Sequence, residues 1–249
     1  MNVLRHILPV GSRFLDLLYP PECALCGTEL MGENSLCASC SDSLPRLREP
    51  FCTTCGECFD GRIDDDFDCP NCTGARFAFD FARPALRRDP CSLELVHRLK
   101  YAREIHLAHS LGGILREALD DPRFSRALRE RWPLVPVPLH RTRMRHRYFN
   151  QAHELARAVS RLTNLPLYPC LLRIRSTGTQ TVLGRKARQQ NLKGAFRMRD
   201  PLFRTVSVPK PGAILVDDVF TTGSTLNECA ATLRKAGCPS VVCISLLRG

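Results

Sequence analysis

Four Cys-x-x-Cys pairs crowd into residues 23–72 (Cys23/Cys26, Cys37/Cys40, Cys52/Cys55 and Cys69/Cys72), and no other feature of this chain restricts its fold as tightly. A two-residue gap at a tight turn points both thiolates at one metal, and two such turns complete a tetrahedral four-sulfur site with the spacing of a zinc ribbon. Gly27 and Gly56, each directly after a pair, supply the permissive backbone that such knuckles need. Sequential pairing predicts one zinc on Cys23, Cys26, Cys37 and Cys40 and a second on Cys52, Cys55, Cys69 and Cys72; interleaved pairing is the alternative. A site closed by four thiolates keeps no open coordination position, so this zinc is structural. Between residues 20 and 75 there are too few large apolar side chains for an independent core, which leaves metal binding to supply the stability. Cys58 is a spare thiol beside the second cluster. Cys91, Cys170, Cys229, Cys238 and Cys243 lack metal spacing and read as small buried or partly buried residues, and so many free thiols predict a reducing, cytoplasmic setting.

Beyond the ribbons the chain has length for a larger domain, and the expected organisation is residues 1–19 as an amphipathic helix docking on the protein, 20–80 as a double zinc ribbon and 81–249 as an α/β domain. Arginines, prolines and acids break every apolar run before it reaches membrane-spanning length, which predicts a soluble protein. Charge divides the same way. Residues 1–80 hold 6 Arg against 13 Asp or Glu, and residues 81–249 hold 30 Lys or Arg against 12 Asp or Glu, giving about −7 and +18. A polyanion would therefore meet the second part, with a merely solvated basic surface as the plainer alternative. The acidic run Asp64-Asp65-Asp66 with Asp68 reads as a loop tip, and the ribbon region as a brace or protein contact.

Near the C-terminus, Ala213 to Val216 form an apolar run suited to a buried parallel strand, and Leu226, Cys229, Ala230 and Leu233 repeat at helical spacing before Gly237 and Pro239. Residues 241–247 form the next strand. Chemistry in a strand–loop–helix–strand unit sits at the carboxyl end of the strand. There the chain reads Asp217-Asp218-Val219-Phe220-Thr221-Thr222-Gly223-Ser224-Thr225. Hydroxyls, a glycine and free amides at a helix start suit a phosphate monoester, and two adjacent carboxylates suit sugar hydroxyls beside it. A capped strand-to-helix turn without ligand is the alternative.

This segment resembles the fingerprint of type I phosphoribosyltransferases. With Leu99-Lys100-Tyr101, residues 134–151, Thr179-Gln180, Arg185, Arg188 and Asn191, nearly the whole chain resembles the ComF family of competence proteins (ComFC, with GntX-like relatives). The resemblance implies a type I phosphoribosyltransferase fold, a parallel sheet flanked by helices, behind the zinc ribbons. It also implies that Asp217 and Asp218 orient the ribose of phosphoribosyl diphosphate, that Thr221, Thr222, Gly223, Ser224 and Thr225 hold its 5′-phosphate, and that magnesium bridges ligand oxygens. The loop after Val135-Pro136-Val137-Pro138 becomes the diphosphate loop, with Arg141, Arg143, Arg145 and Arg147 as anion contacts, and residues 173–194 resemble a hood over the substrate. One departure stands out: the family commonly has Arg-Gly-Phe-Asn-Gln where this chain has Arg147-Tyr148-Phe149-Asn150-Gln151. His140 and His146 read as packing or hydrogen-bonding residues. The implied biology is DNA uptake in natural transformation, with handling of single-stranded DNA and competence-machinery partners at the inner membrane. The alternatives are a metabolic phosphoribosyltransferase acting on a nucleobase or amine, and a zinc-ribbon adaptor.

Overall fold

The computed structural model describes residues 21–32, 34–63, 65–176, 191–199 and 208–249. The amphipathic helix expected within residues 1–19 lies outside them, as does the part of the expected hood that carries Thr179, Gln180, Arg185 and Arg188. The described chain forms two compact units, Met1–Leu44 and Pro45–Gly249.

In the first unit, Cys23, Cys26, Cys37 and Cys40 bring their sulfurs together within 4.8 Å. The knuckle closes through Gly27 N–H donating to Cys23 O (2.9 Å) and Cys23 N–H donating to Thr28 O (2.8 Å). Helix α1 (Ala38–Ser43) follows, and the Cys37 sulfur at its N-cap accepts from the Cys40 amide at 3.3 Å. Amides directed at sulfur stabilise thiolates, the form in which cysteine binds zinc.

The second unit opens with the same knuckle. Gly56 N–H donates to Cys52 O and Cys52 N–H to Glu57 O, both at 2.8 Å. Cys52, Cys55, Cys69 and Cys72 again converge within 4.8 Å. Pairing is therefore sequential in both ribbons, and the interleaved alternative falls away. All four of these cysteines are buried, and they share one apolar cluster with Phe79, Ala82 and residues of the α/β body.

Among its described residues that body contains six strands: β1 (Ala82–Leu86), β2 (Leu134–Pro136), β3 (Leu171–Arg173), β4 (Phe196–Met198), β5 (Ala213–Phe220) and β6 (Val241–Arg248). Its helices are α2 (Pro90–His97), α3 (Leu107–Glu117), α4 (Ser125–Arg129), α5 (Arg141–Arg147), α6 (Gln151–Thr163) and α7 (Ser224–Lys235). Four strands make a parallel sheet in the order β1-β6-β5-β2, and β3 pairs antiparallel with β4. Parallel sheets need cover on both faces, which is why β5 and β6 read as near-continuous apolar runs. Ala213 and Leu215 face the cluster holding Leu226, Cys229, Ala230 and Leu233 of α7. Ile214 and Val216 point the opposite way by the two-residue strand period, and α6 packs on β5 and β2 with α3 beside it. The expected α/β class with a parallel sheet flanked by helices, behind two four-cysteine ribbons, is what forms.

The sequence reading placed a boundary at 80/81, whereas the compact units part between Leu44 and Pro45. The reason is physical: the second ribbon has no core of its own and uses that of the sheet. Gly56 shows how close this packing is, because a β-carbon there would lie 2.4 Å from Pro84 Cδ on β1. Arg83 and Arg123 both stack on Phe51, at 4.3 and 5.7 Å from the ring centre, and Arg123 Nη1 donates to Thr53 O at 2.6 Å.

Candidate functional site

Strand β5 is longer than its apolar run. Pairing with β6 continues through Asp217↔Ser245 to Phe220↔Arg248, so both aspartates project from a rigid strand end rather than from a loose loop. Asp217 Oδ1 accepts the Asp218 amide at 2.9 Å and Asp218 Oδ1 the Val219 amide at 3.0 Å. After Phe220 the chain turns through Thr221 and Thr222 to Gly223, the N-cap of α7, at φ 73°. Glycine is required there twice over, by that left-handed conformation and because a β-carbon would stand 2.6 Å from the Phe220 ring. No side chain caps the helix. The first-turn amides of α7 face outward with the positive end of the helix dipole, beside Thr222 Oγ1 and Ser224 Oγ, which lie 2.8 Å apart. From behind, Arg248 Nη1 donates to the carbonyls of Phe220 (3.1 Å) and Thr221 (3.0 Å), and its other end pairs with Glu57 of the second ribbon.

Asp217, Asp218, Thr221 and Thr225 line an open pocket of about 360 Å³. Of the four arginines expected at an anion loop, Arg143 and Arg147 line it, while Arg141 and Arg145 stand exposed. Their alternation in sequence suggests a strand-like loop, yet residues 141–147 are helical, and positions four apart share a helix face. His140 is the N-cap of α5, its Nδ1 accepting from the Thr142 amide at 3.3 Å, a structural part like the one expected of it. Asn150 caps α6 through the Ala152 amide (3.1 Å) and donates Nδ2 to Val137 O (2.9 Å), which ties the helix to the end of β2. Gln151, 2 % exposed, follows it into the pocket wall.

Two cations escaped the sequence reading as site residues. Lys100 Nζ lies 2.5 Å from Asp218 Oδ2, both side chains mostly buried. It arrives on a π-helical turn, Arg98–Ala102, a widened turn of the kind that recurs at functional sites. Arg173, at the end of β3, is buried and lines the pocket, its guanidinium 5.4 Å from the Phe196 ring centre. Burial, reinforced by Arg143, presses its pKa down.

The two carboxyls are shifted in opposite directions. Burial and then the negative charge of Asp218 push Asp217 well above the usual carboxylate range. For Asp218 burial acts in the same upward direction, but Lys100, with a smaller part from Arg147, outweighs it and holds the carboxyl below that range. The pair thus sets a carboxyl that resists ionisation beside one held ready to ionise, flanked by the cations Lys100, Arg143, Arg147 and Arg173. Such a pocket offers carboxyls to hydroxyls and cations to anions.

Residues 14–73 match the double zinc ribbon domain family. The chain is 31 % identical to Competence protein F of Haemophilus influenzae, over 88 % of this chain and 92 % of that protein. It is 30 % identical to the DNA utilization protein YhgH of Escherichia coli K12, over 90 % of this chain and 96 % of that protein. A shorter match, 34 % identical over 46 % of this chain and 44 % of its relative, is to Competence protein ComFC of Bacillus subtilis.

Proposed function

Because the chain belongs to the ComF family of competence and DNA utilization proteins, we propose that it binds phosphoribosyl diphosphate with magnesium in the pocket at the end of β5 and serves DNA uptake by handling incoming single-stranded DNA. The observation that carries the ligand is the rigid Asp217–Asp218 pair, shortly before an uncapped helix start, lining a pocket walled by four cations. A sugar with phosphate at one end and diphosphate at the other matches that division. Asp217 and Asp218 hold the ribose hydroxyls, and the amides and hydroxyls from Thr221 to Thr225 hold the 5′-phosphate. Arg143, Arg147 and Arg173 meet the diphosphate as charge-assisted donors. Lys100 keeps Asp218 ionised and in place.

The donor set fits magnesium, a hard cation that takes carboxylate oxygen together with ligand phosphate and water. Ligand phosphate and water would hold most of it, with Asp218 the carboxylate at hand, and it would supply neutralisation of diphosphate charge. In displacement at the anomeric carbon, positive charge grows on the ribose and negative charge on the leaving group, so the pocket's own contribution is positioning and electrostatic stabilisation.

The DNA part of the reading rests on the two relatives' names and on the net charge of about +18 across residues 81–249. A cytoplasmic location next to an inner-membrane uptake machinery suits it, and among the described residues no helix is long and apolar enough to cross a membrane. Calorimetric titration with phosphoribosyl diphosphate and magnesium tests the ligand. Binding by the native chain that disappears in Asp217→Asn/Asp218→Asn supports the site, and absence of binding by the native chain refutes it. Deleting the gene in a transformable host should lower transformation, and unchanged transformation counts against the uptake role.

A further inference from the structure

Two large rings stand exposed beside the pocket: Tyr101 is 61 % and Tyr148 74 % exposed. Single exposed aromatics are common on soluble proteins and mean little alone. These two are held as a set. The Arg147 guanidinium lies 5.1 Å from the Tyr101 ring centre and that of Arg103 lies 4.5 Å from Tyr148. His97 lies against the Tyr101 ring at 4.6 Å between ring centres, and Arg103 Nη2 donates to His146 O at 3.0 Å, tying the π-helical turn to the end of α5. Tyr148 is the C-cap of α5 at φ 66°, a left-handed conformation that glycine adopts freely and a bulky side chain adopts at a cost. The chain thus carries a large exposed ring at a position whose backbone favours having none, and stacks a cation against it.

Resting on the reading of this protein as a handler of single-stranded DNA, we propose that Tyr101 and Tyr148, with Arg103 and Arg147, form a base-stacking platform for a single strand at the mouth of the pocket. Alternating π faces and guanidinium groups accept unstacked bases without regard to sequence, and the cations between them follow the backbone. A duplex keeps its base faces covered and cannot use the rings. Arg147 belongs to both the rim and the pocket wall, so a strand lying on the platform runs beside whatever occupies the pocket.

The test is fluorescence anisotropy of a labelled oligothymidylate, with a matched abasic oligonucleotide and a duplex as further probes. The full-length native chain should bind the oligothymidylate more tightly than either, and Tyr148→Gly and Tyr101→Ser should each weaken it about tenfold. The abasic probe should bind native chain and variants alike. Tyr148→Gly relieves the left-handed backbone, so a folding failure does not account for lost binding, and its calorimetric affinity for phosphoribosyl diphosphate should stay native. Native-like oligothymidylate affinity in both variants, or equal binding of the abasic probe by the native chain, overturns the platform while leaving the proposed function intact. No single-strand binding by the native chain overturns both.

Discussion

The two zinc ribbons use the same ligand pattern and the same knuckle hydrogen bonds, yet they belong to different compact units. In the first, Cys26 is exposed, Cys37 and Cys40 are half-buried, and the metal cluster belongs to its own compact unit. In the second, all four cysteines are buried in the apolar cluster that also contains α7 and the sheet. Cys-x-x-Cys spacing therefore specifies how a metal is held and says nothing about what the metal supports. What separates the two is the sequence around the ligands: Phe51, Phe67 and Phe79 flank the second set and dock it, through Arg83, Arg123 and the Gly56–Pro84 contact, on β1.

The largest effect that could break this contrast is removal of the second metal. Cys52→Ser/Cys69→Ser should abolish the cooperative thermal transition of residues 45–249, since structural zinc contributes on the order of 10 kcal/mol. A native-like melting curve by circular dichroism would show that the second ribbon is an accessory like the first. Next comes Lys100→Met, which leaves Asp218 mostly buried and without its ammonium partner, and should cost about 3 kcal/mol in denaturant unfolding of the same unit.

That pair also predicts a pH dependence. The pKa of Asp218 is depressed in the folded chain, so its contribution is full above the unfolded value near about pH 4 and fades as pH falls through the lower folded value. Asp217 runs the other way, resisting ionisation in the fold. Asp217→Asn should therefore gain stability relative to the native chain as pH rises above about 4, and a constant difference across pH would contradict the upward shift of Asp217.

Smaller still, Glu57→Gln weakens the tie from the second ribbon through Arg248 to the Thr221 carbonyl and should cost about 1 kcal/mol, because Glu57 is partly exposed. The smallest effect sharpens the comparison from the other side: Cys23→Ser/Cys26→Ser should release one zinc to a chromophoric chelator while moving the main transition by less than about 0.5 kcal/mol, the scale of substitutions outside that unit's core. A shift as large as that of the second-ribbon variant would erase the distinction.

Much of the molecule was legible from the chain because its signals are local. The thiol pairs, the apolar strand before Asp217, and the glycine at position 223 each act within a few residues. What was not legible depends on distant partners or on a choice of period. Lys100 meets Asp218 only because the sheet order brings a π-helical turn to the end of β5, and Arg173 reaches the pocket from a separate hairpin. The arginines at 141, 143, 145 and 147 alternate as in a strand, but a helix sorts them into a pocket pair and a solvent pair. The second ribbon's place in the body was hidden because apolar residues too few for their own core are enough to complete someone else's. Tyr148 is a departure whose backbone reason, a left-handed cap, becomes visible only in three dimensions.

A shared core also limits how this gene can be rearranged. A crossover near the codon for residue 44 falls between the two compact units, whereas one near residue 80 cuts between Phe79 and Ala82 and strips the sheet of part of its interior. The heritable module at the C-terminal end is thus one zinc ribbon plus the α/β body.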